Sequence, residues 1–179
     1  MNSVSLLQRL HQHRSWANEN LLAACQTLSM EELLQRFEIG QGSIWRSLLH
    51  MYAAEFVWLA ALIGEAEAVA PGDLQNKLPG NQEGELPISN FDDLVPQWTL
   101  LNKRWNTYLS SLDPESLSDI VYRRSFGTPR ADILLHVCTH AHYTTAQVVN
   151  MLRHSDCKVL PEVMLITLSR QENVNSLGE

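Results

Sequence analysis

Apolar residues recur every three or four positions through four separate stretches, and that periodicity predicts four long amphipathic helices. In residues 4–28 the shared face carries Leu6, Leu10, His13, Ala17, Leu21, Ala24 and Leu28, with Ser3 or Ser5 as the cap. Ser29 before Glu31 and Glu32 predicts a short further turn. Gly40 and Gly42 punctuate the next junction. Ser43 then caps a second helix, IWRSLLHMYAAEFVWLAALIGE, with a broad apolar stripe from Trp45 to Leu62 and Gly64 at its end. A third begins at Asn90 or Asp92 and runs through Leu112, lined by Leu94, Trp98, Leu101, Trp105 and Tyr108. Pro96 predicts either a later start or a kink. The fourth, Ala131 to Arg153, has no Gly or Pro inside it. Thr128 suits its N-cap and Pro129 its first position.

The segments between these helices differ in kind. Residues 65–89 hold three prolines and three glycines with little periodicity, a long loop of the sort that often edges a functional pocket. Residues 117–127 lack a helical pattern, and their Val, Tyr and Phe predict an extended segment across the mouth of a bundle. Pro161 opens a short closing helix with Val163, Met164, Ile166 and Leu168, and residues 171–179 read as a flexible tail. The expectation is an all-α four-helix bundle over residues 1–170, with a long crossover loop and a short C-terminal extension.

Composition narrows the partners. The 179 residues carry a formal net charge of -7 and no Lys/Arg cluster, which argues against nucleic acid or an anionic membrane as the main partner. Three cysteines, an odd count without a CxxC pair, predict no disulfide framework and a reducing cytoplasm. Met1-Asn2-Ser3 leads into an amphipathic pattern rather than an apolar signal core, and no apolar run reaches the roughly 20 residues needed to span a bilayer. Arg123, Arg124 and Arg130 form a small positive patch, solvated or aimed at an anionic substrate group.

The chemistry concentrates on the fourth helix. His136, His140, Thr144 and Gln147 share one face, and His142 lies well off it. A polar line on an otherwise apolar helix must be hydrogen-bonded, bind a metal or line a wet pocket. His136 and His140 have the i, i+4 spacing that lets two imidazoles meet one ion. Val137 stands where the zinc protease signature has Glu, so that chemistry is not indicated. The second helix adds His50. Glu55 is a further candidate ligand but sits about 140° away around the helix. His11 and His13 have no spaced partner and read as surface or groove residues. His50, His136 and His140 with an open fourth position are the makings of a divalent metal site. They are equally able to satisfy one another and nearby hydroxyls.

Three segments together carry a resemblance: RSWANENLLAAC, GSIWRSLLHMYAAEFVWLAAL and ADILLHVCTHAHYTTAQVVNMLR. In that order they resemble the DinB/YfiT-like family of metalloenzymes, whose fourth helix usually reads roughly L-L-H-V-V-N-H-x-x-H-H-R-G-Q. The resemblance implies a right-handed-style variant of the four-helix bundle, often dimeric. It also implies a zinc, nickel or other divalent ion held by three side chains, and in some members transfer of a low-molecular-weight thiol. Aligned on Gln147, the two family ligands of this helix fall on His140 and Thr144, so Thr144 replaces the expected His and Ala146 the usual Gly. The expected function is a metal-dependent thiol transferase or hydrolase-like enzyme with metal ligands His50, His140 and His136, and with Thr144 or Tyr143 positioning water or substrate. The alternative is a non-catalytic bundle that has lost its metal and binds a small ligand or partner.

Overall fold

The computed structural model describes residues 2–176, with side chains through residue 174. Six helices and one hairpin follow in order: α1 (Ser3–Cys25), α2 (Met30–Leu34), α3 (Ile44–Leu62), α4 (Phe91–Ser110), a 3-10 turn (Pro114–Ser118), β1 (Ile120–Arg123), β2 (Phe126–Pro129), α5 (Arg130–Arg153) and α6 (Leu165–Ser176). The fold is the expected all-α bundle. α1, α3, α4 and α5 are its long members.

Their main contacts run α1–α5, α5–α3, α3–α4 and α4–α1, which closes a ring of four. Cross-contacts give the directions. Trp45 meets Phe91, Tyr52 meets Gln97, and Arg104 lies over Phe56, so α3 and α4 run parallel. His50 meets His140 while Trp58 meets His136, so α3 and α5 run antiparallel. Two parallel neighbours need a connection that returns the full length of the bundle, and residues 63–90 provide it. The buried interior holds Trp98 and Trp105 on α4, Trp45 and Tyr52 among aliphatic residues on α3, and aliphatic residues on α5. Such interior truncations cost about 3–5 kcal/mol for Trp and about 2–5 kcal/mol for Leu.

Local chemistry explains the boundaries. Ser29 and Glu32 form the reciprocal box that starts α2, Ser43 accepts from the Arg46 amide to start α3, and Asn90 does the same for α4 through Asp93. Gly64, at φ +93°, ends α3 in the left-handed region. Pro96 lies inside α4, where its missing N–H forgoes one ladder bond.

Several expectations need correction. Asn2, not Ser3 or Ser5, caps α1. Thr128 is no cap: it pairs with Val121 in the hairpin, and α5 starts without a side-chain cap. The extended segment is this two-stranded hairpin, packed on α3 and α5. The closing helix starts at Leu165 rather than Pro161. α6 runs past residue 171 to Ser176, and Glu172 within it pairs with Arg9 at 2.7 Å and accepts from Gln12. Residues 177–179 of the expected tail lie outside the described residues.

Among the described residues no helix is long and apolar enough to cross a membrane.

Candidate metal centre

α3 and α5 meet at two imidazoles. His50 Nε2 lies 3.1 Å from His140 Nε2, and the ring centroids are 4.9 Å apart at 71°. Both residues are partly exposed, so solvent reaches them. The other nitrogen of His50, Nδ1, lies 2.7 Å from the Pro79 carbonyl, a contact only an N–H can make. That fixes the tautomer: the His50 proton is on Nδ1, and Nε2 presents a lone pair. The hydrogen between the two rings therefore belongs to His140 Nε2.

The long loop builds this arrangement. A Cβ at Gly80 would stand 2.6 Å from both the Cα and the N of His50, so only glycine lets the loop lie on α3 there. Gly80 is at φ +84°, which also favours glycine. Asp73 clamps the turn by accepting from the amides of Gly80 and Gln82, at 2.6 and 2.9 Å. The Pro79 carbonyl is thereby held over His50, the backbone-carbonyl support that metal-ligating histidines ordinarily have.

Electrostatics favour the neutral ligand form. Burial, then the neighbouring His50 and His136, push the His140 imidazole down to about 4. At neutral pH it carries no charge to lose before ligating a cation. Two imidazole nitrogens on one tetrahedral Zn²⁺ stand about 3.3 Å apart, given Zn–N bonds of about 2.0–2.1 Å. The observed 3.1 Å is close to that spacing. His140 must only move its hydrogen to Nδ1.

The third ligand is another matter. His136 is exposed, its ring 5.6 Å from that of His140 and edge-on to Trp58 at 5.5 Å. Thr144, on the same face of α5, is buried. Among the described residues no group of three or more His, Cys, Asp or Glu side chains is placed to hold an ion. The residues fit a two-imidazole site with His136 beside it.

Other candidates lie elsewhere. Glu55 faces away from His50, as its angle predicts, and forms an ion pair with Arg14 at 2.6 Å. It also accepts from Asn18 Nδ2 at 2.7 Å and Trp98 Nε1 at 3.0 Å. His11 is not a surface or groove residue: it is buried, bonded to the Leu134 carbonyl and stacked on Trp105. Burial and the adjacent Arg14 push it down to about 3. His13 is partly buried and bonded to the Val163 carbonyl. Tyr143 is exposed and lines a groove between α5 and α1, so it does not serve the His50–His140 pair. In the arginine patch, Arg130 is engaged by Tyr108 and the Ser116 carbonyl, while Arg123 lies over Trp58. Sequence reasoning missed the parts played by Pro79 and Gly80. The Pro-Gly pair signalled a turn, and nothing in its spacing told which helix the turn would touch.

Comparison with known proteins adds the following. The DinB family model matches residues 1–155. No curated protein matches the chain in sequence. Among solved structures the chain is similar to YfiT from Bacillus subtilis, described as a probable metal-dependent hydrolase with an unusual four-helix bundle topology. Identity is 15%, the TM-score is 0.64, and the match covers 86% of this chain and 90% of that one. At that identity the likeness concerns the fold.

Proposed function

This chain belongs to the DinB family, and from that premise we propose that it is a divalent-metal-dependent enzyme, hydrolase-like or a thiol transferase, with His50 and His140 as its metal ligands. One observation carries the reading: two imidazole nitrogens from different helices face each other at 3.1 Å, one of them oriented by a backbone carbonyl. The description of YfiT as a probable metal-dependent hydrolase supports the class of chemistry. A bound Zn²⁺ or Ni²⁺ supplies Lewis acidity, lowering the pKa of a water or small thiol beside it.

The chain's own residues supply the rest. Pro79 fixes the His50 ring, His140 gives its Nε2 hydrogen to Nδ1, and Trp58 walls His136 on one side. The attacking group comes from outside the protein. Burial pushes the Cys25 and Cys138 thiols up to about 12 each, so neither is a thiolate at neutral pH. His136 stands where it can take a proton from a group arriving at His140.

The second reading, a non-catalytic bundle that binds a small ligand or partner, is favoured by the donor set stopping at two. The two separate by metal content and turnover. Protein purified without chelator or affinity tag, then equilibrated with Zn²⁺ or Ni²⁺, is expected to hold about one ion per chain. It should hydrolyse activated esters or join a small thiol to an electrophile, and His140→Ala should lose both properties. Metal content near zero after divalent-ion addition would leave the second reading standing.

A further inference from the structure

Unsatisfied polar atoms lie on α1, where it borders the face of α5 opposite His140. At about 100° per residue, Cys138 and His142 point away from His140. They border a groove of about 570 Å³ between α1, α5 and the start of α6, within the range of small-molecule sites. Its walls are mostly carbon, including Leu10, Ala17, Leu135, Ala141, Tyr143 and Met164. Arg14 and Asn18 also line it, although only 4% and 1% of their surfaces are exposed.

These two residues are incompletely used. Arg14 Nη1 lies 2.6 Å from Glu55 Oε2, an ion pair whose angle departs from that of a hydrogen bond, and Arg14 Nε has no partner. Asn18 Nδ2 donates to Glu55, which settles which end of the amide is nitrogen, and the opposite atom, Oδ1, has no partner. A residue with an orphaned donor and a residue with an orphaned acceptor thus line one apolar groove, each orphan costly to leave unpaired.

We propose that this groove binds an amphipathic phenol or alcohol. One uncharged hydroxyl accepts from Arg14 Nε and donates to Asn18 Oδ1, and the hydrocarbon part lies along the walls. A hydroxyl carries both the acceptor and the donor that the two orphans call for, which neither a pure acceptor nor a hydrocarbon does. The group is un-ionised because the Glu55 carboxylate already balances Arg14. The inference stands apart from the metal reading, since His50 and His140 take no part in it.

Isothermal titration of the full chain with 4-hexylphenol, its methyl ether and hexylbenzene tests it. The phenol should bind saturably, at least tenfold more tightly than either analogue, and equally with and without EDTA. Ala146→Trp and Thr139→Trp each place an indole at an exposed position of the groove, and each should abolish binding while circular dichroism stays unchanged. If one variant misfolds, the other decides. Equal affinity for hexylbenzene, retention of binding by the folded Trp variants, or no saturable binding up to the phenol's solubility limit overturns the proposal. So does a dimer that Ala146→Trp converts to monomer while the phenol fails to bind, which would make the groove an interface between copies of the chain.

Discussion

α3 carries two polar residues five positions apart, and their surroundings are opposite. Glu55 is buried and consumed: Arg14 pairs with it, and Asn18 and Trp98 donate to it. His50 is partly exposed: the Pro79 carbonyl accepts from its Nδ1–H, and its Nε2 accepts from a second imidazole that solvent also reaches. A buried carboxylate with partners on two neighbouring helices holds helices together. Imidazole nitrogens that share one hydrogen and face solvent are ready to accept a cation. The difference teaches that the worth of a polar residue on a bundle helix is read from its burial and from what its partners are, not from its type.

The largest expected effect breaks the consumed side. Glu55→Ala leaves the Arg14 guanidinium buried and unpaired, and should lower unfolding free energy by about 3–5 kcal/mol. Urea denaturation measures it, and the loss should be the same with and without Zn²⁺. A loss that appears only with metal present would move Glu55 into the metal site and erase the contrast.

The next effect acts on the open side alone. Gly80→Ala drives a methyl into the α3 backbone at His50 and lifts the Pro79 carbonyl away. Loss of such a support weakens metal binding by about 10–100-fold. A competition titration with a coloured chelator reads this directly, and unchanged affinity would detach the loop from the site.

Acid should sharpen the comparison among histidines. His11 and His140 are both held below the usual imidazole value, at about 3 and about 4. Above about pH 6.5 neither the folded nor the unfolded chain protonates them, and they add no pH dependence. Below that, the unfolded chain takes up protons that the folded chain refuses. Stability should therefore fall as pH drops, by up to about 1.4 kcal/mol per pH unit for the buried His11 and by less for the solvent-screened His140, until each folded-state pKa is reached. Urea melts between pH 7 and pH 4.5 show the slope, and His11→Phe should remove its share.

The smallest effect belongs to His136. It is exposed, so His136→Ala should change stability by no more than about 0.5 kcal/mol. It should also reduce metal affinity less than His140→Ala does. Equal losses would promote His136 to a full ligand.

Much of this architecture could be read along the chain. Ser43, Asn90 and the Ser29–Glu32 pair signal helix starts locally, and the stripe Leu94, Trp98, Leu101 and Trp105 is buried as its spacing requires. The hairpin was harder to read, because Thr128-Pro129 is equally good chemistry for a helix start, and pairing with Val121 decided the matter. His11 illustrates the same limit. Its burial depends on Trp105 and Leu134, both remote in sequence. At the site, the i, i+4 spacing singled out His136 and His140, and the second helix and the family resemblance added His50. Pro79 and Gly80 stayed hidden because a loop's landing place is set by the helices it crosses. The reach of α6 to Ser176 was not legible locally, because Glu172 finds its partner Arg9 only in the folded chain.

The central claim is that His50 and His140 together bind one divalent ion. Thermal melts of the chelator-stripped chain with excess Zn²⁺ or Ni²⁺ test it most directly, since an ion bound only by the folded state raises Tm by mass action. The account predicts a clear upward shift for the wild-type chain that disappears in both His50→Ala and His140→Ala. A shift that survives in either variant, or none in the wild type, contradicts it.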